Sequence, residues 1–181
     1  YICKHNENYD GRINSLLLEK EVLDKIHRNF KYVSLSTNKR DLGDFYIHSG
    51  RNKFPVNLKL ISKNNKSSNN IVGLPRIMKY LFFEDKRIPI SYIGISRAIR
   101  DKNFSKKQND YGLLVLEKET GYSFGGSLLR IKKIDTNPTN GFQFKQIESI
   151  DRKKKESKDF IINNYKTVLK KRAEPYLIFK E

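Results

Sequence analysis

Apolar residues recur at helical spacing in the first part of the chain. Between Ile13 and Phe30 they return every three or four residues, with lysine and aspartate on the other side. This pattern predicts an amphipathic helix over residues 13–30. Its predicted apolar face consists of Leu16, Leu18, Val22, Leu23, Ile26 and Phe30.

β-Forming residues in an alternating pattern follow this helix. The segments Tyr32–Ser36, Asp44–His48 and Phe54–Ile61 each predict a strand, and the residues between the last two segments have turn composition. Pro55 lies near the start of the third strand, where a missing N–H group is tolerated. The second and third strands are therefore expected to form a hairpin.

The second half of the chain mixes helical and strand patterns. A helix is predicted from about Leu74 to Phe83, because Pro75 suits a first helical turn. The short apolar run Ile90–Ser96 predicts a buried strand, and residues 97–110 predict a basic loop. Further strands are predicted at Tyr111–Glu119, Tyr122–Ile131 and Phe142–Gln146, and a last helix at Ser157–Lys171. This order predicts an α/β fold in which helices flank a mixed β-sheet.

Length and charge narrow the class of protein. A chain of 181 residues fits one domain over residues 1–181, with a core over about 13–131 and a C-terminal strand and helix over about 132–181. The aromatic content of 12% is too high for a disordered chain. The net charge of +17 favours a nucleic acid or an anionic membrane surface as partner over an acidic protein.

Two absences in the sequence limit the location and the chemistry. No apolar run approaches the roughly 20 residues that span a bilayer, so no membrane-spanning helix is expected. Cys3 is the single cysteine, which excludes an internal disulfide framework and a cysteine-based zinc site. Together with the lack of a signal-peptide pattern, this predicts a cytoplasmic protein, although the chain starts at Tyr1 and not at Met.

Polar residues interrupt the predicted hairpin at one place. Asn57 and Lys59 are two residues apart and therefore share a strand face, whereas Val56, Leu58 and Leu60 are expected to point into the core. Pairing with the preceding strand would bring Asp44 beside them. The carboxylate and the amide oxygen could bind Mg²⁺, and the ammonium group could hold a water molecule and offset charge on a phosphate.

This arrangement resembles the motif of the PD-(D/E)XK nucleases, and in particular that of the type II restriction endonucleases. Asp44 matches the first acid, Asn57 stands at the second acidic position, and Lys59 matches the lysine. Glu19 matches the acid that a preceding helix commonly supplies, while Gly43 replaces the proline of the motif. The resemblance implies a restriction-endonuclease-like fold and a homodimer that cleaves double-stranded DNA at a short specific sequence. It also implies Mg²⁺ held by Asp44, Asn57 and Glu19, with one charge fewer than usual because of the asparagine.

The helical wheel distinguishes between two glutamates of the first helix. At about 100° per residue, Glu19 falls within the arc of apolar residues and Glu21 falls on the opposite side. A carboxylate in an apolar face is costly unless it has a partner such as a metal, a water molecule or a lysine. Glu19 is therefore expected to face the centre.

Candidate DNA contacts are distributed along the chain. Phosphate contacts are expected from the densest basic positions, which are Lys63, Lys66, Arg97, Arg100, Lys106, Lys107, Lys132 and Lys133. The loop that follows the Lys59 strand could touch DNA near the cut through Asn64, Asn65 and Ser67. Gln143 and Lys145 alternate with phenylalanines, so both could face outward and contact adenine and guanine.

The sequence leaves other functions open. A structure-selective repair nuclease would have the same fold, and the asparagine at position 57 also suits a noncatalytic nucleic-acid-binding protein. Peripheral membrane binding fits less well, because the basic residues are spread along the chain. Taken singly, Asp44 also fits a turn residue, Lys59 a solvent-facing strand residue and Glu19 a surface residue of a helix.

Overall fold

The computed structural model confirms the α/β class. It describes residues 11–38, 41–62, 69–71, 73–121, 123–130, 135–137, 141–144 and 158–177. Within these ranges lie four α-helices, eight strands and a 3-10 helix. In chain order the α-helices and strands are α1 (Gly11–Asn29), β1 (Val33–Leu35), β2 (Phe45–Ser49), β3 (Asn52–Ile61), β4 (Asn69–Ile71), α2 (Leu74–Phe82), α3 (Tyr92–Arg100), β5 (Gly112–Glu117), β6 (Ser123–Ser127), β7 (Asp135–Asn137), β8 (Gly141–Phe144) and α4 (Lys158–Leu177).

The chain forms two compact units. The first unit comprises Tyr1–Lys66 and Gly112–Gly126, and the second comprises Ser67–Tyr111 and Ser127–Glu181. The first unit thus holds α1 and nearly all of a five-stranded sheet, and the second holds α2, α3, α4 and a three-stranded sheet. That the whole chain is one nuclease domain stays a prediction.

The sheet of the first unit has the order β1-β2-β3-β5-β6. Strands β1, β2 and β3 pair antiparallel, whereas β3 pairs with β5 in parallel, which makes the sheet mixed. The predicted hairpin is confirmed, since Ser49 pairs with Asn52 across a tight turn. Gly50 occupies that turn with φ of 57°, a left-handed conformation that glycine adopts without steric cost.

Helix α1 packs on this sheet through part of its predicted apolar face. Leu23 and Ile26 contact a buried cluster made of Val33, Phe45 and Val56. The prediction was wrong for the two ends of the face, because Leu16 and Phe30 are 66% and 44% exposed. A helix of 19 residues is about 28 Å long, and its contacts with this small cluster come from two residues of its second half.

The second unit has its own core, which is formed by its helices and by strand β8. Helix α2 begins at Leu74 with Pro75 in its first turn, as the sequence predicted. The three-stranded sheet has the order β4-β8-β7, and both pairings are antiparallel. The largest fully buried side chains of this unit are Ile71, Leu74, Met78, Leu81, Phe82, Ile95, Tyr111, Leu128, Phe142 and Tyr165.

Helix α3 overturns the prediction of a buried strand at Ile90–Ser96. The Ser91 side chain accepts a hydrogen bond from the Gly94 amide at 3.0 Å and thereby caps the helix. The buried residues are Gly94, Ile95, Ala98 and Ile99, which form a helical stripe. The predicted run ended at Ser96, before Ala98 and Ile99, so the helical spacing of the buried residues was not visible within it. The first four residues of the predicted basic loop, 97–100, are the end of this helix.

Smaller corrections concern the ends of predicted elements. The strand predicted at Tyr122–Ile131 ends at Ser127 and gives way to a 3-10 helix at Leu128–Arg130. Strands β4 and β7 were not predicted, and each has three residues. Helix α4 extends beyond its predicted end to Leu177. Among the helices that the structure describes, none is both long and apolar enough to cross a membrane.

Candidate active site

The Asp44 carboxylate is held against strand β3 by the backbone. The Asp44 amide donates to the Val56 carbonyl at 2.8 Å, and the Leu58 amide donates to Asp44 Oδ2 at 2.6 Å. Asp44 therefore lies one residue before β2 and accepts a hydrogen bond from the middle of β3. Sequence reasoning expected Asp44 beside this strand, but it did not identify the Leu58 amide as the group that orients the carboxylate.

Gly43 permits this close approach of the two backbones. A Cβ atom at position 43 would lie 2.7 Å from both the nitrogen and the oxygen of Val56, which is too close for a real contact. Any larger residue would push the chain away from β3 and carry Asp44 with it. Gly43, which replaces the proline of the motif, is therefore required here for a steric reason.

Strand β3 presents Asn57 and Lys59 on one face, as predicted from the alternation. The neighbouring residues Val56 and Leu58 are 6% and 2% exposed, and they belong to the opposite face of the strand. Asn57 and Lys59 are partly buried and pair in register with two residues of β5, Leu113 and Val115. Both β5 side chains are only 1% exposed, so the polar pair lies in a largely apolar part of the sheet.

Helix α1 places Glu19 within electrostatic range of Asp44 and Lys59. The charges of Asp44 and Lys59 both act on the Glu19 carboxylate, which is partly buried. Glu21 is exposed and instead forms an ion pair with Lys25 at 2.6 Å. Glu19, Asp44 and Lys59 are therefore close enough for their charges to interact, and Asn57 lies on the same strand face as the lysine.

The pKa shifts of these three groups have one main cause. Burial raises the pKa of Glu19, and the neighbouring charge of Asp44 raises it further. Burial also raises the pKa of Asp44, against the opposing effects of the Leu58 amide and of Lys59. Burial lowers the pKa of Lys59, although Asp44 and Glu19 act in the opposite direction. Each charged form is therefore less stable here than in water, which is typical of functional sites.

The donor set fits a hard divalent cation. Glu19 and Asp44 supply carboxylate oxygens, and the Asn57 amide can supply a neutral oxygen, which suits Mg²⁺ when water and phosphate complete its coordination. A cation would also offset the cost of the two partly buried carboxylates, whose pKa values are raised. Within the part of the chain that the structure describes, no three histidine, cysteine, aspartate or glutamate side chains cluster as a metal site. A site here would therefore depend on two carboxylates and the asparagine.

A cleft of about 310 Å³ opens beside the Asp44 carboxylate in the first unit. One side of the cleft is a loop in which the amides of Thr37 and Asn38 donate to Asp41 Oδ2 at 3.1 and 3.3 Å. The cleft is lined by Leu23, Ser36, Thr37, Asn38, Asp41, Gly43 and Asp44. The cleft offers space for a small ligand, or for a segment of a larger one, next to Asp44.

The predicted DNA contacts fall into two groups. Arg97 and Arg100 lie on α3, Lys106 and Lys107 follow it, and all four side chains are exposed. Gln143 lies in β8, where the backbone alone is described. Outside the described residues lie Lys63, Asn64, Asn65, Lys66, Ser67, Lys132, Lys133 and Lys145.

Comparison with known proteins gives no family for the chain. No protein-family model matches it, and a search of curated proteins finds no match. The functional assignment must therefore be argued from the geometry and chemistry of the site.

Proposed function

We propose that the protein is a Mg²⁺-dependent endonuclease of the type II restriction class, which hydrolyses phosphodiester bonds of double-stranded DNA at a short specific sequence. The observation that supports this proposal is that the Leu58 amide fixes the Asp44 carboxylate against the strand that carries Lys59, while the charges of Glu19, Asp44 and Lys59 act on one another. Two partly buried carboxylates that interact with a partly buried ammonium group suit a reaction in which a metal, a water molecule and a phosphate meet. The +17 charge of the chain suits a polyanionic substrate.

The proposed roles follow from the surroundings of each side chain. Asp44, Glu19 and Asn57 would hold Mg²⁺, which when bound lowers the pKa of coordinated water and stabilises charge on the phosphate. The Leu58 amide keeps the Asp44 carboxylate in a fixed orientation. Burial lowers the pKa of the Lys59 ammonium, so this group is better able to exchange a proton with the attacking water than an exposed lysine would be.

The proposed partners are duplex DNA and a second copy of the chain, and the proposed location is the cytoplasm. The substrate is duplex DNA, and a homodimer would place one centre on each strand so that both can be cut. The cytoplasm is the proposed compartment, because a single cysteine and a DNA substrate both fit a reducing interior.

Asn57 supports a second candidate, a noncatalytic nucleic-acid-binding protein. An amide in place of a carboxylate removes one negative charge from the proposed metal site and weakens its attraction for a cation. Such a protein would bind duplex DNA or RNA with the same basic surface but would leave the phosphodiester bonds intact. A structure-selective repair nuclease is a third candidate, and it would cut branched or damaged DNA instead of a short sequence.

Digestion of a long phage DNA separates these candidates. The wild-type chain should give discrete fragments with Mg²⁺ and none with EDTA, and Asp44→Ala should give none under either condition. Asp159→Ala is the matched control, because Asp159 is an exposed aspartate of α4 in the second unit. Binding without cutting would favour the noncatalytic protein, and cutting of branched DNA alone would favour the repair nuclease.

A further inference from the structure

Helix α3 exposes a stripe that combines an apolar residue with two arginines. Ile93, Arg97 and Arg100 lie at positions i, i+4 and i+7, within an arc of about 60° at 100° per residue. Ile93 is 64% exposed and the Arg100 side chain is 74% exposed. The opposite side of the helix is buried in the second unit, so the stripe is the outward face of a firmly packed helix.

The segment that leads into α3 is fixed from several sides. The Lys79 ammonium donates to the carbonyls of Lys86, at 3.0 Å, and of Ile88. Ile88 is buried, whereas Ile90 is 55% exposed and lies just before the helix. The Ser91 cap then sets the first turn. Ile90 and Ile93 are thus exposed apolar residues on a rigid support.

The charge around the stripe suits a polyanion. Residues 84–107 contain seven cationic and three acidic side chains. Two of the acids pair with arginines of the same surface: Asp85 with Arg87 at 2.9 Å and Asp101 with Arg100 at 3.0 Å. Exposed pairs of this kind are weak, and a guanidinium keeps further donors for a ligand. The remaining cations are Lys86, Arg97, Lys102, Lys106 and Lys107, which are all exposed.

The dimensions and chemistry of the stripe match the major groove of DNA. A helix of nine residues is about 13.5 Å long and 10–12 Å across, and the groove is about 12 Å wide. Arginine forms paired hydrogen bonds with the O6 and N7 atoms of guanine, and apolar side chains contact the methyl group of thymine. A surface that bound only phosphates would have no use for exposed isoleucines.

We propose that α3 is the recognition helix of this protein, which enters the major groove and reads bases through Arg97, Arg100 and Ile93. This inference rests on the proposed function insofar as that function makes duplex DNA the ligand. It gives base reading to a helix, where the sequence suggested Gln143 and Lys145. Lys106 and Lys107, at the end of the same surface, contact the phosphates.

A binding selection tests this role without depending on cleavage. The full chain carrying Lys59→Ala is mixed with a pool of random-sequence duplexes and Mg²⁺, and the bound duplexes are sequenced. Further samples add Arg97→Ala or Ile93→Ala, with Lys170→Ala, an exposed lysine of α4, as the control. A parallel selection with the wild-type chain in EDTA covers the case in which Lys59→Ala does not fold. Circular dichroism checks that each variant is folded.

The expected result is a short enriched sequence that changes with α3. Arg97→Ala should lower the preference for one guanine position by about tenfold or more, and Ile93→Ala should weaken a thymine preference. Lys170→Ala should leave the sequence unchanged, and the affinity of Arg97→Ala for random duplex should fall by less than about tenfold.

Three results would overturn the inference: an enriched sequence that no α3 variant alters, duplex binding with no enriched sequence, or binding of anionic vesicles instead of DNA. The digestion of phage DNA by the wild type distinguishes these from failure of the proposed function. If that digestion shows no cutting while the selected sequence depends on α3, the nuclease proposal fails and the recognition helix stands. If the α3 variants cut DNA at the same sites as the wild type, the nuclease proposal stands and only the recognition-helix inference fails.

Discussion

The β2–β3 hairpin and helix α3 both carry charged side chains, but they place them in opposite surroundings. At the hairpin, the charges of Asp44 and Glu19 act on Lys59, and burial lowers the pKa of this lysine. On α3, the arginines are exposed on the outward face of a short helix. A partly buried charge at the hairpin costs folding free energy and suits chemistry on a bound group. An exposed charge on α3 costs little and suits contact with an extended anion.

This contrast shows why net charge alone says little about function. The +17 charge predicts a polyanionic partner, but it does not separate the cation that takes part in a reaction from the cations that hold the ligand. Burial makes that distinction. Substitutions in the two regions should therefore have different effects on cleavage and on binding.

The largest effect is expected from removal of Lys59, the partly buried lysine of β3. Lys59→Ala should lower the rate of DNA cleavage by roughly 10²–10⁴-fold, because the group that acts on the reacting water and phosphate is lost. Affinity for duplex should stay within about tenfold, since phosphate contacts elsewhere supply most of it. Cleavage rates and gel-shift affinities measure the two effects. Cleavage by the variant at a near wild-type rate would remove Lys59 from the reaction.

A smaller effect should distinguish the two glutamates of α1. Glu19→Gln should lower activity by at least about tenfold, because it removes a charge next to Asp44 and Lys59. Glu21→Gln should change activity by less than about twofold, since Glu21 forms an exposed pair with Lys25. Cleavage assays across a range of Mg²⁺ concentrations would show the difference. The reverse ranking would mean that α1 presents another face to the centre.

Gly43→Ala tests whether the close approach of the chain to β3 at Gly43 is needed for cleavage. The added methyl group would collide with Val56, so we expect a loss of about 1–3 kcal/mol in the free energy of unfolding, together with reduced cleavage. Gly50→Ala is the control: its Cβ has open space, but its φ of 57° should cost about 1 kcal/mol. Urea unfolding and cleavage rates measure both properties. If Gly50→Ala lost as much cleavage as Gly43→Ala, general loss of stability would explain the result.

The smallest effect concerns the pH dependence of stability. Burial raises the pKa of Asp44 above its ordinary value of 3.8, so folding favours the protonated carboxyl group. The free energy of unfolding should therefore fall as the pH rises from 3.8 through the raised pKa. Asp44→Asn keeps an oxygen for the Leu58 amide but does not ionise, so its stability should change less over this interval. Urea unfolding without Mg²⁺ at several pH values would show the difference, and parallel curves for the two proteins would contradict it.

The sequence alone determined the hairpin and the faces on which Asn57, Lys59 and Glu19 lie. Alternation placed Asn57 and Lys59 on one face of β3, and the helical wheel favoured Glu19 over Glu21, because both periods are fixed by backbone geometry. These rules are local, so they do not depend on the rest of the fold. The same local reasoning failed at α3, because the predicted apolar run ended at Ser96 and two of the buried residues that reveal the helical period, Ala98 and Ile99, lie beyond it.

Only the tertiary structure decided which charged groups are partly buried and what orients them. The hydrogen bond from the Leu58 amide to Asp44 and the steric need for Gly43 both arise from two strands that approach closely. The outward face of α3 follows from which side of the helix packs into the second unit. Burial and orientation depend on contacts between segments far apart in sequence, and a local pattern does not specify those contacts.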